Sequence, residues 1–130
     1  MKYLLDTHIF LWLQNDPKRL GPLVKRLEKK DSVLLVSAAS AWEIAIKYEV
    51  GRLNLPEPPA DYVPSRIKAI NAIALPVELR HALAVSTLPP IHRDPFDRIL
   101  ICQAQANNAI LVTADEKVSQ YSISTLLIPS

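Results

Sequence analysis

Asp6, Glu43, Asp97 and Asp115 stand in four separate stretches of the chain, YLLD, SAASAWEIAIK, HRDPFDRILI and ILVTAD. If the ends of those stretches meet, the four carboxylates converge. At ~5 Å and an effective dielectric of ~20, each like-charged pair costs about 3 kcal/mol, so such a cluster requires protons or a cation. Hard oxygen donors without thiolates select Mg²⁺, for which Mn²⁺ can substitute. The chemistry these residue types point to is that of a divalent-metal site.

The elements that must position them are legible as an alternation. Apolar runs at residues 3–5, 33–36, 73–75, 110–113 and 125–128 read as strands. Between them, helices are expected at residues 7–14, 22–30, 38 to about 50, 61–70, 78–85 and 95–107, with a short one from Glu116. Ser37 reads as the N-cap of the third helix and Gly51 as its left-handed terminator; Pro64 is expected to end or kink the fourth. Strand–helix alternation of this kind predicts an α/β fold, a mostly parallel sheet of about five strands with helices on both faces. Ligands of such sheets bind beyond the carboxyl ends of strands where the strand order reverses, and Asp6 and Asp115 follow strand ends.

Each acid also has a plainer reading. Asp6 can satisfy amides of the helix that starts at Thr7, although Thr7 can cap that helix itself, and Asp115 can cap the helix from Glu116. Glu43 shares a helical stripe with Ala39, Ile46 and Val50, an apolar setting that favours a site over a solvated acid. Its alternative is a Glu43–Lys47 pair worth ~0.2–0.5 kcal/mol. In DPFD, Asp94 is the natural N-cap and Pro95 suits the first turn, while Asp97 extends the stripe of Leu100, Ile101 and Ala104 inward. Asp97 is therefore assigned to the metal and Asp94 to capping, with an auxiliary site role left open. Thr7 and Thr113, beside the acids, can orient water or simply bond the backbone. Lys47, Arg93 and Arg98 stand close enough in sequence to contact phosphates, with local ion pairing the equal alternative. His8 and His92 can reach a substrate, but neither is assigned as a general base.

The 130 residues, 49% hydrophobic and 22% charged, suffice for one sizeable core, so residues 1–130 are read as a single domain. A net charge of +2 is too small to argue for nucleic acid by itself. The lone Cys102 reads as a small buried hydrophobe, and its lack of a partner agrees with a reducing cytoplasm. No apolar run is long enough to span a membrane, and Asp6 and His8 interrupt any signal-like stretch, so cytoplasmic residence is expected. Two glycines make phosphate-cradling loops an unlikely design. Trp12 and Trp42 read as core residues. The first helix, with Ile9, Phe10, Leu11, Trp12 and Leu13, is more apolar than one buried face requires, which leaves part of it for a protein partner.

The motifs LLDTHIFLW, SAASAWEIAIKYEVGRL, HRDPFDRILICQA and ILVTAD, in this order and over nearly the whole chain, resemble PIN domains of the VapC toxin type. That resemblance implies a PIN-like (Rossmann-like) parallel sheet and a Mg²⁺-dependent endoribonuclease that is the toxin of a type II toxin–antitoxin module. It further implies an RNA substrate, a cognate antitoxin and a homodimer. The family's acidic positions fall on Asp6, Glu43, Asp97 and Asp115. One or two metal ions there would polarise a phosphodiester and activate water, leaving a 5′-phosphate and a 3′-hydroxyl. Two other readings stand beside it. A non-catalytic RNA- or protein-binding module on the same fold is disfavoured by the full set of acids. An aspartyl-phosphate phosphatase is disfavoured because Thr7 and His8, not a second acid, follow Asp6.

Overall fold

The apolar runs form five strands in a computed structural model, which describes residues 1–129. They are β1 (Lys2–Leu5), β2 (Val33–Ser37), β3 (Ile73–Leu75), β4 (Ile110–Thr113) and β5 (Thr125–Leu127). All pair in parallel in the order β3-β2-β1-β4-β5, with Leu5 in register with Val36 on one side and Val112 on the other. Each strand therefore has to be followed by a crossover, and helices cover both faces. The α-helices are α1 (Thr7–Asn15), α2 (Leu23–Leu27), α3 (Ala38–Glu49), α4 (Pro59–Ala69), α5 (Leu79–Ala84) and α6 (Pro95–Asn107).

Two cores result. Leu5 and Val36 from the sheet pack with Ile9, Phe10, Leu23, Leu27, Ile44, Tyr62 and Val63, joining α1, α2, α3 and α4 on one face. Leu4, Leu35 and Leu111 point the other way, onto Leu100, Ile101 and the buried Cys102 of α6. The alternation of Leu4 and Leu5 is the two-residue period of a strand, and burial of both is what a parallel sheet covered twice demands. Among the described residues, no helix is long and apolar enough to cross a membrane.

Several expectations change. The second helix spans only Leu23–Leu27, preceded by a 3₁₀ turn at Pro17–Leu20, and a 3₁₀ turn at Val118–Gln120 replaces the helix expected from Glu116. Pro64 sits inside α4 without ending it; Pro64 and Ala60 are both exposed, so water can take the carbonyl that the missing N–H would have bonded. The surplus apolar residues of α1 are absorbed internally, because Ile9, Phe10 and Leu11 are all buried and Trp12 and Leu13 pack against the core. Trp42 is no core residue at 65% exposure. On α3 the buried face is Ala39, Ser40, Glu43 and Ile44, whereas Ile46 and Val50 lie exposed, so the stripe expected for Glu43 is the wrong one although its burial is right. The ends of α3 follow the sequence: the Ser37 hydroxyl accepts from the Ala39 amide at 3.0 Å, and Gly51 at φ 77° lets its own amide bond Tyr48 and that of Arg52 bond Lys47.

Candidate metal centre

β1 and β4 are neighbours in space but far apart in sequence, and the strand order reverses between them. Beyond their carboxyl ends lies a cavity of about 490 Å³ walled by Asp6, Asp94, Asp97 and Asp115, with His8, Trp12, Arg19 and His92 on its remaining sides. This is the crevice that a doubly wound sheet offers to ligands.

Asp6 continues β1 by donating its amide to Val112 at 3.0 Å, then caps α1 by accepting from the Ile9 amide at 2.9 Å. Asp6 and not Thr7 is thus the cap. Thr7 is freed to donate its hydroxyl to Glu43 Oε1 at 2.6 Å, while Lys47 Nζ holds Oε2 at 2.8 Å. Both oxygens of Glu43 are fixed, in a side chain set back behind Thr7 and only 7% exposed as a residue. Asp94 accepts from the amides of Phe96 and Asp97 at 2.8 and 3.2 Å, the N-cap of α6 that the sequence indicated. Thr113 accepts from the Asp115 amide at 3.1 Å. Asp115 uses one oxygen to accept from the Lys117 amide at 2.9 Å and presents the other to the cavity.

His92 joins this set from the loop before α6. Its Nε2 stands 2.7 Å from Asp115 Oδ2 and 3.0 Å from Asp97 Oδ2, and its Nδ1 accepts from the Asp94 amide at 3.1 Å. Because Nδ1 accepts, the ring proton is on Nε2, between two carboxylates whose repulsion it offsets. A divalent cation would perform the same task.

The electrostatics record the crowding. Burial, then the charges of Asp94 and Asp6, push the Asp97 carboxyl up to about 7, against the pull of His92. Burial also raises Asp6, although the Thr113 hydroxyl and the Ile9 amide oppose it. Asp115 is the contrast: burial raises it, but the His92 and Lys117 contacts outweigh that and leave its carboxyl below the usual range. One acid is ready to bind a cation and its neighbour holds a proton until one arrives.

The donors fit a hard divalent ion. Ligand atoms of His92, Asp97 and Asp115 all lie within 4.8 Å of one another, and no thiolate is among them. Coordination through His92 Nε2 would require moving its proton to Nδ1, against the Asp94 amide. The carboxylates are therefore the better ligands and His92 the group that aims them.

The basic residues divide. Lys47 is tied to Glu43, and Arg93 is exposed. Arg98 turns away from the acids. Its guanidinium donates to the carbonyls of Val85, Pro89 and His92 at 3.0, 3.3 and 3.1 Å and to the Tyr121 hydroxyl at 3.4 Å, so it fixes the loop that carries His92.

Residues 3–123 match the sequence profile of the PIN domain. The chain belongs to the PIN-domain family. Over 48 residues this PIN domain is 52% identical to Ribonuclease VapC16 of Mycobacterium tuberculosis (strain ATCC 25618 / H37Rv); the match takes in 37% of the chain and spans only 34% of that protein's length. Against Ribonuclease VapC22 of the same organism it is 25% identical over 118 residues, 91% of this chain and 90% of that protein. Its fold is similar to that of a chain in the crystal structure of VapBC2 from Rickettsia felis bound to a DNA fragment from their promoter. The TM-score is 0.74 at 17% identity, covering 98% of this chain and 99% of that one.

The sequence offered His92 as a substrate contact, not as the partner of Asp97 and Asp115 that it is in this PIN domain. A histidine in a loop is usually solvated, and its place became visible only when β4 brought Asp115 to it. The one available signal was its position two residues before the Asp94 cap, which anchors the ring through Nδ1.

Proposed function

We propose that this chain is a Mg²⁺-dependent endoribonuclease, the toxin of a type II toxin–antitoxin system, acting as a single PIN domain over residues 1–130. The observation that carries the reading is the gathering of Asp6, Asp97 and Asp115 in one cavity at the β1–β4 reversal, with the Asp97 carboxyl pushed up to about 7 by burial and then by its acidic neighbours. Acids held together at such cost suit a cation site. A non-catalytic binding module has no use for that arrangement.

In this reading Asp6, Glu43, Asp97 and Asp115 are the catalytic and metal-binding acids. When bound, Mg²⁺ or Mn²⁺ supplies Lewis-acid charge for hydrolysis of a phosphodiester. Asp97 and Asp115 would hold the ion, and Asp97 would have to release its proton to do so. Asp6 is held in place by the Ile9 amide, and Glu43 is fixed between Thr7 and Lys47. His92 keeps Asp97 and Asp115 aimed into the cavity, and Arg98 keeps His92 there. Thr113 orients Asp115 through its amide. Asp94 serves α6 first, and Arg93 is the basic residue of the original three left free to meet phosphate.

Partners follow from the same reading. The homologous VapC ribonucleases and the VapBC2 structure support a cognate antitoxin, and residence in the cytoplasm goes with an RNA substrate. A homodimer is supported by large apolar side chains left exposed on α3 and α5, where Trp42, Leu79 and Leu83 are 65%, 75% and 64% exposed. Trp42 meets Phe96 edge-on at 5.3 Å, beside a groove formed with Val77, Val85 and Ile99.

The deciding experiment is digestion of a total small-RNA pool with Mg²⁺ or Mn²⁺, against chelator, Asp6→Asn and Asp94→Asn. Discrete metal-dependent products are expected from the natural chain and from Asp94→Asn, since asparagine caps a helix well, and none from Asp6→Asn. Products that persist in chelator or in Asp6→Asn would overturn the reading.

A further inference from the structure

Part of the wall of the cavity is aromatic and cationic. Trp12 lies six residues beyond Asp6 on α1, and the Arg19 guanidinium sits 3.9 Å from the centre of its ring. The His8 ring is tilted against the same indole, with centroids 6.1 Å apart. All three residues line the cavity that holds Asp6, Asp97 and Asp115. Arg19 is exposed and makes no salt bridge among the described residues, although acids line the same cavity. The 3₁₀ turn after α1 is what returns the chain so that Arg19 covers Trp12.

A guanidinium held over an indole at this distance brings its planar, cationic group and several N–H donors to one place in the cavity wall. Unstacked bases are received on such planes, and the adjoining phosphate takes the donors. Arg19 has Lys18 beside it in the sequence, whereas Lys25, Arg26, Lys29 and Lys30 belong to the stretch leading to the amino ends of β1 and β2, away from the cavity. At this wall the anionic strand is met by Arg19 itself.

We infer that Trp12 and Arg19, with His8 at their edge, form the subsite that receives a nucleotide of single-stranded RNA beside the scissile phosphodiester. This rests on the endoribonuclease reading. Stacking is tolerant of base identity, so the subsite sets how the strand lies and contributes little sequence preference.

The test has two arms. In the first, a synthetic oligoribonucleotide containing a site cut in the pool digestion is used for steady-state kinetics of the full chain. Trp12→Leu and Arg19→Ala each raise KM about tenfold, the lower-middle of the range that loss of a stacked base produces, with kcat within about twofold. Trp12→Phe restores most of the loss, and Arg19→Lys restores little because an ammonium does not stack as a plane. In the second arm, Trp42→Phe combined with Asp6→Asn leaves Trp12 as the only tryptophan in a chain that does not cut. The same oligoribonucleotide, or a mixed-sequence one if nothing is cut, quenches its fluorescence saturably. Unchanged KM in Trp12→Leu and Arg19→Ala while the natural chain cleaves, or no quenching, overturns the subsite and leaves the stack to a protein partner or to the fold. Failure of the natural chain to cleave any RNA strikes the endoribonuclease reading instead, and the quenching arm still decides the subsite.

Discussion

Asp97→Asn isolates the cost of assembling the acids. The Asp97 carboxyl stands at about 7 in the folded chain, against 3.8 for the free side chain. A folded value above the unfolded one means that the folded state keeps a proton that the unfolded state releases, so the contribution to stability is present below pH ~4 and is lost as pH rises through ~7. At about 1.4 kcal/mol per pKa unit, the full loss is about 4 kcal/mol, an upper bound for a side chain with some access to water. Asparagine mimics the protonated acid at every pH and escapes the loss. Relative to the natural chain, Asp97→Asn therefore gains about 3 kcal/mol between pH 5 and pH 8 in chelator. With an unfolding entropy of ~2.1 cal/mol/K per residue, or about 0.27 kcal/mol/K for this length, that widens the Tm gap by about 10 °C. The assay is thermal unfolding followed by circular dichroism at both pH values, with chelator and then with Mg²⁺. Saturating Mg²⁺ should narrow the gap at pH 8 by more than half, raising the natural chain by about 2.7 kcal/mol at a hundredfold excess over Kd and Asp97→Asn by much less. A gap that is the same at pH 5 and pH 8, or an Asp97→Asn chain no more stable than the natural one at pH 8 in chelator, refutes convergence of the acids.

Arg98→Ala removes the clamp on the Pro89–His92 backbone and should lower stability by about 2–3 kcal/mol in chemical denaturation, with Arg98→Lys recovering little of it because an ammonium cannot span four acceptors. Cleavage should fall in step with the loosening of His92; loss of stability with full activity would separate the loop from the site. Replacing the exposed Leu83 of α5 by Asp should convert a dimer to a monomer in light scattering, with the thermal midpoint little changed at high dilution, and a natural chain already monomeric at high concentration would remove the dimer.

The acids were legible because their type clashed with their setting: a carboxylate just past an apolar strand, or aimed inward from a helix start, needs a reason to be there. The same logic placed the Asp94 cap and the Ser37 and Gly51 ends of α3. Glu43 was found by a faulty route. α3 carries apolar residues on two faces, and periodicity alone chose Ile46 and Val50 when the sheet had taken Ser40 and Ile44. Trp12 and Arg19 were missed for a related reason. An aromatic residue at helical spacing reads as core, and only the 3₁₀ turn at Pro17–Leu20 shows that one face of it looks into the cavity. Arg98 illustrates the opposite error, since proximity in sequence to Asp97 says nothing about which side of α6 a side chain leaves.

The seam between β1 and β4 also sets a schedule. A strand from the first five residues must wait for one that begins at Ile110, so the site straddles the longest-range pairing in the sheet. Such pairings form late and slowly, because the intervening loop must be closed before they yield anything. A chain still emerging from the ribosome carries Asp6 and Glu43 but not Asp115, and a truncated one lacks the strand that would present it. For the endoribonuclease proposed above, hydrolytic competence therefore switches on as a single late event, once β4 has paired with β1.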